Sequence, residues 1–121
     1  MNARSEDAAG TAAGKGSRPF TGDEYLESLR DGREIWAYGR RVEDVTTHPG
    51  FRNPARMLAR LYDALHDPAR QARLTVPTDT GNGGFTHPFF RVPRSREQLI
   101  QARDAIADWA RLTWGWMGRS P

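Results

Sequence analysis

The last residues of the chain carry its clearest chemistry. Met117-Gly-Arg-Ser-Pro121 sets a single arginine, Arg119, behind the apolar side chains of Trp114, Trp116 and Met117. A guanidinium stays charged and presents its donors in a fixed planar fork, which suits a carboxylate, a phenol or a phenolate oxygen. A helix ending near Gly118 would hold Arg119 at the mouth of a pocket walled by the two tryptophans and the methionine. On the residues alone a plainer account is favoured, in which a cation near a helix carboxyl end interacts with the helix dipole and meets no ligand.

The other candidates are weaker. His48, His66 and His87 fall in different predicted elements, without the i, i+4 pairing of a helical metal site, and the sequence has no cysteine, so no metal site is expected. His48 and His87 each precede a proline, which suits residues in connectors. Asp79-Thr-Gly-Asn-Gly-Gly84 lacks the Lys-Ser/Thr ending of a phosphate loop and reads as a turn. Asp23 with Glu24, and Glu43 with Asp44, sit near element ends, where capping and solvation account for them. Trp36, Tyr38 and Tyr62 lie on predicted element faces and read as packing residues.

Those residues need elements to hold them. Thr21-x-x-Glu24 has the form of a capping box, opening a short helix that ends by Gly32. Glu34–Tyr38 and Arg41–Val45 read as a β-hairpin turning at Gly39-Arg40. Asn53 offers a cap with Pro54 behind it, and Met57, Leu58, Leu61, Tyr62 and Leu65 recur at helical spacing, so a helix should run to about His66. From Leu74 to Pro93 the chain reads as a long loop with short extended pieces. Ser95-x-x-Gln98 opens a final helix expected to reach Met117. Leu99, Arg103, Ile106, Trp109, Ala110, Thr113, Trp116 and Met117 fall along one of its sides, and an uncovered apolar face is expected over Ile106, Trp109, Thr113, Trp116 and Met117. The fold class is mainly α with a small β-hairpin.

Composition excludes several function classes. Eighteen basic residues face fifteen acidic ones, and all but one of the bases are arginine. Acids and bases alternate along every segment, so the basic face of a nucleic-acid binder is not expected. No apolar run approaches the length needed to span a bilayer, and the head of the chain lacks the apolar stretch of a signal peptide, so no membrane partner is expected either. Absence of cysteine fits a cytoplasmic location. With ten per cent aromatic residues the chain is too rich in core formers to be disordered throughout. The Ala/Gly/Ser-rich residues 1–17 are the exception and read as a disordered N-terminal tail.

Seven stretches, in order, carry a family resemblance: Arg18–Leu26, Asp31–Trp36, Val45–Pro49, Leu61–His66, Asp79–His87, Phe89–Arg91 and Gly115–Pro121. Together they resemble the start of the oxygenase component of bacterial 4-hydroxyphenylacetate 3-monooxygenase, a family of two-component, FAD-dependent phenol hydroxylases. The resemblance implies that residues 18–121 form the N-terminal helical domain of an acyl-CoA-dehydrogenase-like flavoprotein, truncated before a middle β domain and a C-terminal helical bundle. It implies a reaction in which FAD, reduced by a separate flavin reductase, activates O2 for transfer to the ring carbon ortho to a phenol oxygen. A homo-oligomer is implied for the full-length protein, and the 121 residues alone are expected to be inactive. Arg119 inherits the family role of contacting the phenol hydroxyl, as both a substrate-binding and a catalytic residue. Its implied partners, a tyrosine and a histidine, would lie beyond Pro121; the resemblance leaves room for Asp79–Gly84 to approach the active site of the whole enzyme but names no flavin-contacting residue. The alternative is a non-catalytic helical interaction module that docks a partner through its last helix.

Overall fold

The computed structural model describes residues 17–115. Helix α1, Gly22–Ser28, starts on the expected capping box. The Thr21 hydroxyl accepts the Glu24 N–H at 3.3 Å, and the Glu24 carboxylate accepts the Thr21 N–H at 2.9 Å. The same carboxylate receives both arms of the Arg18 guanidinium, at 2.8 and 2.9 Å. The chain then reverses through a hairpin of β1, Ile35–Ala37, and β2, Arg40–Val42, antiparallel with Trp36 opposite Arg41.

The hairpin corrects two expectations. Its turn is Tyr38-Gly39, one residue earlier than Gly39-Arg40, with φ of 52° and 73°. Two successive left-handed residues are the mark of a two-residue type I′ turn, whose twist matches that of the strands. Glycine takes that conformation freely and tyrosine does not. Nor does burial compensate, since Tyr38 is 104% exposed and Trp36 is 63% exposed. Strand pleating explains Trp36, because alternate residues face opposite ways and Val42 takes the buried side. Neither aromatic is a packing residue here. Tyr38→Asn should therefore raise the unfolding free energy by about 0.5–1 kcal/mol. Chemical denaturation checks this, and an unchanged midpoint would mean that the tyrosine ring contributes as much as its backbone loses.

Helix α2, Arg52–Ala64, is capped at Phe51 rather than at Asn53, and Phe51 makes no side-chain cap. A turn from His48 leads in instead, its carbonyl accepting the N–H groups of Phe51 at 3.0 Å and Arg52 at 2.9 Å. Pro54 then falls within the first turn, where N–H groups have no helical partner to lose. Helix α3, Pro68–Leu74, falls in a stretch that the spacing analysis leaves unassigned. Asp67 caps it through a 2.9 Å bond from the Ala69 N–H, with Pro68 at the first helical position.

The segment that follows is extended and irregular, as expected. Strand β3, Val76–Pro77, pairs antiparallel with β4, Phe85–Thr86, and a 3-10 turn covers Pro88–Phe90. Helix α4, Arg96–Leu112, opens on Ser95, whose hydroxyl accepts the Gln98 N–H at 3.2 Å. The Gln98 side chain reaches one residue further back than in a capping box, accepting the Arg94 N–H at 2.7 Å.

The core joins α2, α3 and α4 through Leu61, Ala64, Leu65, Leu74, Ala105 and Trp109. The Trp109 indole N–H donates to the Leu61 carbonyl at 3.2 Å. Asp108 straps α4 to α3, accepting Arg73 and Arg111, each at 2.6 Å. Helix α1 lies so close to α2 that a Cβ on Gly22 would stand 2.8 Å from the Ala59 carbonyl and 2.5 Å from Asp63. Tyr62 packs as expected, stacked on Tyr25 with ring centroids 5.0 Å apart. Helix α4 departs from expectation in extent and in facing. It ends at Leu112, short of Met117, and Trp109 and Thr113, expected to be uncovered, are buried. Its buried line runs Ala105-Trp109-Thr113 at i, i+4, which turns Leu99 and Arg103 outward. The overall class, mainly α with a small hairpin, is as expected, with a second short strand pair added. No helix among the described residues is long and apolar enough to cross a membrane.

Candidate functional site

Arg119 lies outside the described residues, as do Trp116 and Met117. The structure shows how the chain is delivered towards them. Thr113, only 1% exposed, closes α4 and donates its hydroxyl to the Ala110 carbonyl at 3.0 Å. The next two residues are left-handed, Trp114 at φ 51° and Gly115 at φ 76°. The Trp114 N–H bonds the Arg111 carbonyl at 3.2 Å and the Gly115 N–H bonds the Ala110 carbonyl at 2.9 Å. These are the paired bonds of a Schellman motif, which satisfies two carbonyls at the helix end. Its left-handed position usually holds glycine, and here it holds tryptophan. The Trp114 ring is 78% exposed, with the Arg60 guanidinium carbon 5.4 Å from its centroid. Among the described residues, then, Trp114 does not wall a closed pocket. Arg60 escapes a reading by local spacing because its partner is distant in the sequence.

A cavity of about 460 Å³ opens beside the core, lined by Leu58, Leu61, Tyr62, Phe85, His87 and Trp109 among others. Its histidine is not the simple connector residue expected from His87-Pro88. His87 is 1% exposed and stacks on Trp109 at 4.1 Å and 13°. Its Nδ1 accepts the Phe89 N–H at 3.1 Å, capping the 3-10 turn, so the neutral ring carries its proton on Nε2. That Nε2 is buried without a hydrogen-bond partner among the described residues. Burial pushes the His87 pKa down to about 4, opposed in part by the Ala105 backbone.

The consequence for stability has a definite sign. His87 binds its proton more readily unfolded than folded, so its contribution is fully present above pH 6.5 and is lost as pH falls towards 4. The loss should reach about 3 kcal/mol. Asp31 is held down to about 2 by Arg33, and Asp44 is lowered by Thr46, so their effects appear at more acid pH. Unfolding free energies measured between pH 7 and 4 should fall in the parent and stay nearly level in His87→Gln. Parallel profiles would show that another group carries the slope.

The glycine-rich loop is a turn, as the residues favoured. The Asn82 side-chain oxygen accepts the Gly84 N–H at 2.9 Å and the Thr78 hydroxyl, and the Gly84 carbonyl accepts the Thr78 N–H at 3.0 Å. Beyond it the Phe85 N–H bonds the Ser17 carbonyl at 3.1 Å, and a Cβ on Gly84 would fall 1.6 Å from that oxygen. The flavin implied by the resemblance finds no site in these residues. The loop turns its polar groups on itself, and the cavity's cation, Arg18, is engaged by Glu24. No group of three or more His, Asp or Glu side chains is gathered for a metal ion among the described residues.

Comparison with known proteins completes the picture. Residues 21–121 match the family model described as 4-hydroxyphenylacetate 3-hydroxylase N terminal. The chain is 67% identical over 105 residues to the oxygenase component of 4-hydroxyphenylacetate 3-monooxygenase from Pseudomonas aeruginosa, covering 87% of this chain and 20% of that one. It is 66% identical over 104 residues to the oxygenase component of 4-nitrophenol 2-monooxygenase from a Rhodococcus species, covering 86% and 20%. Among solved structures it resembles a 4-hydroxyphenylacetate 3-monooxygenase oxygenase component complexed with FAD and 4-hydroxyphenylacetate. That match has a TM-score of 0.75 and 40% identity, and covers 84% of this chain and 21% of the other. The chain thus spans about a fifth of the length of the relatives it matches, and its helical layout is that of the N-terminal region of an acyl-CoA-dehydrogenase-like fold. With the family model matched from Thr21 through Pro121, the chain belongs to the 4-hydroxyphenylacetate 3-hydroxylase N-terminal family.

Proposed function

We propose that residues 18–121 are the N-terminal helical portion of a longer monooxygenase; the tail expected over residues 1–17 lies, but for Ser17, outside the described residues. That enzyme uses reduced FAD and O2 to hydroxylate a para-substituted phenol such as 4-hydroxyphenylacetate ortho to its oxygen, giving a catechol. The observation that carries the reading is the identity of 64 to 67% to oxygenase components named for such phenols. Relatives differ in the para substituent, acetate in one and nitro in another, so the class is a para-substituted phenol. The remaining four-fifths of the family's length would supply the flavin site.

In this reading Arg119 holds the phenol oxygen. A guanidinium there stabilises phenolate character, which enriches the ortho carbon in electrons, and a fixed cation in a dry site does so without reorganising solvent. Reduced FAD, supplied by a separate reductase, furnishes the activated oxygen. The complete protein is proposed to be a cytoplasmic homo-oligomer. The interaction-module alternative loses ground because Trp109 and Thr113, part of the face it would use, are buried.

A graft tests the proposal. Residues 21–121 would replace the matching stretch of the Escherichia coli oxygenase component, to which the chain is 64% identical over 104 residues. Given reduced FAD, O2 and 4-hydroxyphenylacetate, the graft should form catechol, while the 121-residue chain alone should yield only H2O2. A graft that folds and binds FAD yet makes no catechol would overturn the reading.

A further inference from the structure

We infer that two copies of this chain associate by exchanging hairpin tips, the Trp36 and Tyr38 rings of each copy entering the apolar cavity of the other. Two features that the fold of one copy does not use meet in that contact. The first is the tip. Tyr38 holds φ 52° at a turn position that asparagine or glycine fills at lower cost, and its ring gains no burial in return, at 104% exposed. Trp36 is 63% exposed on the adjoining strand. Arg40 and Arg41 are exposed as well and make no ion pair among the described residues. Backbone strain kept beneath an exposed ring points to a use outside the fold. Tryptophan, tyrosine and arginine are also the residue types that carry most of the binding energy at protein interfaces.

The second feature is the cavity of about 460 Å³. Its walls include Leu58, Tyr62, Phe85 and Trp109, and Phe90 lines it while 58% exposed, so it opens to the surface. The chain's own hairpin takes no part in that lining. Charge matches too. Asp79 follows the lining residue Thr78, is exposed and makes no ion pair among the described residues, which leaves it free to accept Arg40 or Arg41 of a second copy. Size favours a second copy over a small ligand. Each large aromatic ring buries roughly 150–250 Å², so four exchanged rings and the walls receiving them remove up to about 1,200–2,000 Å² from water. That is the area of a standard protein interface. Reciprocal exchange about a two-fold axis also closes, so association stops at the dimer.

The inference goes beyond the homo-oligomer proposed for the complete protein, because it needs only this chain. Catechol formation by the graft judges the proposed function, and association of the 121-residue chain judges the exchange. Sedimentation velocity between roughly 1 and 200 μM should show the parent chain dimerising with a micromolar dissociation constant. Trp36→Ala combined with Tyr38→Asn should weaken the dimer by at least about tenfold. Both changes lie at the surface and Tyr38→Asn relieves the backbone, so a dimer lost there is not lost to unfolding. Leu58→Trp, which fills the cavity from within, should weaken it similarly. A mixture of the tip variant with Leu58→Trp should sediment faster than either chain alone, since the pair restores one tip in one cavity. A parent chain that stays monomeric throughout, a dimer that survives loss of both rings, or a mixture no heavier than its folded components would overturn the inference. If Leu58→Trp fails to fold, the parent and the tip variant decide.

Discussion

Trp109→Ala should lower the unfolding free energy by about 3–5 kcal/mol, a large share of what a domain of this size possesses. Three losses coincide at that residue. The indole fills the junction of α2, α3 and α4 beside Leu61, Leu65 and Leu74. It is also the surface on which His87 stacks, so its removal enlarges an existing cavity of about 460 Å³. Its N–H meets the Leu61 carbonyl in the last turn of α2, where carbonyls lack a helical partner. Trp109→Phe separates these effects. It keeps most of the ring and loses the hydrogen bond, for an expected loss of about 1–2 kcal/mol. Denaturant titration followed by circular dichroism checks both variants. A Trp109→Ala midpoint near that of the parent would mean that the three helices hold together by other contacts.

Arg119→Ala, made in the graft, should reduce the catechol formed per O2 consumed by roughly ten- to a hundredfold. That corresponds to a lost charge-assisted hydrogen bond of about 1.5–3 kcal/mol. Flavin reoxidation should continue, with oxygen diverted to H2O2, because the residue is proposed to act on the phenol and not on the flavin. Arg119→Lys should rescue only part of the yield, since a point charge replaces a planar fork. The informative measurement is the yield ratio with equal reduced flavin given to each variant. A ratio unchanged in Arg119→Ala would return the residue to the helix-dipole account.

Local signals that the fold uses locally were legible in the sequence. Thr21 with Glu24, and Ser95 with Gln98, open helices because each hydroxyl finds an N–H three residues ahead, a bond written within four residues of chain. The same kind of signal was available in Asp67-Pro68, which caps α3 as cleanly, yet the segment is short and carries little apolar spacing. The hairpin turn falls one residue before the position its glycine suggests, because tyrosine is a poor marker of left-handed backbone and Tyr38 adopts it nonetheless. His87 and Trp114 were harder. His87-Pro88 does mark a connector, but the histidine's burial depends on Trp109 arriving from another helix. Trp114 is tied to Arg60 across the fold. Contacts of that kind depend on how helices pack, which no short window of sequence contains. For Arg119 the spacing alone favoured the helix-dipole account, and only the family resemblance suggested a ligand.

The bond from Trp109 to Leu61 spans 48 residues, and that span has a consequence in time. A ribosome adding about 5–20 residues each second makes Leu61 roughly 2–10 s before Trp109. Once Leu74 has been added α2 and α3 can form, but the apolar stripe of Leu61, Leu65 and Leu74 has no α4 to cover it. The nascent chain is therefore open to chaperones, and to its neighbours on the same messenger, for as long as α4 takes to be made. Faster translation or a lower growth temperature would change how much soluble protein is recovered while leaving the finished fold untouched.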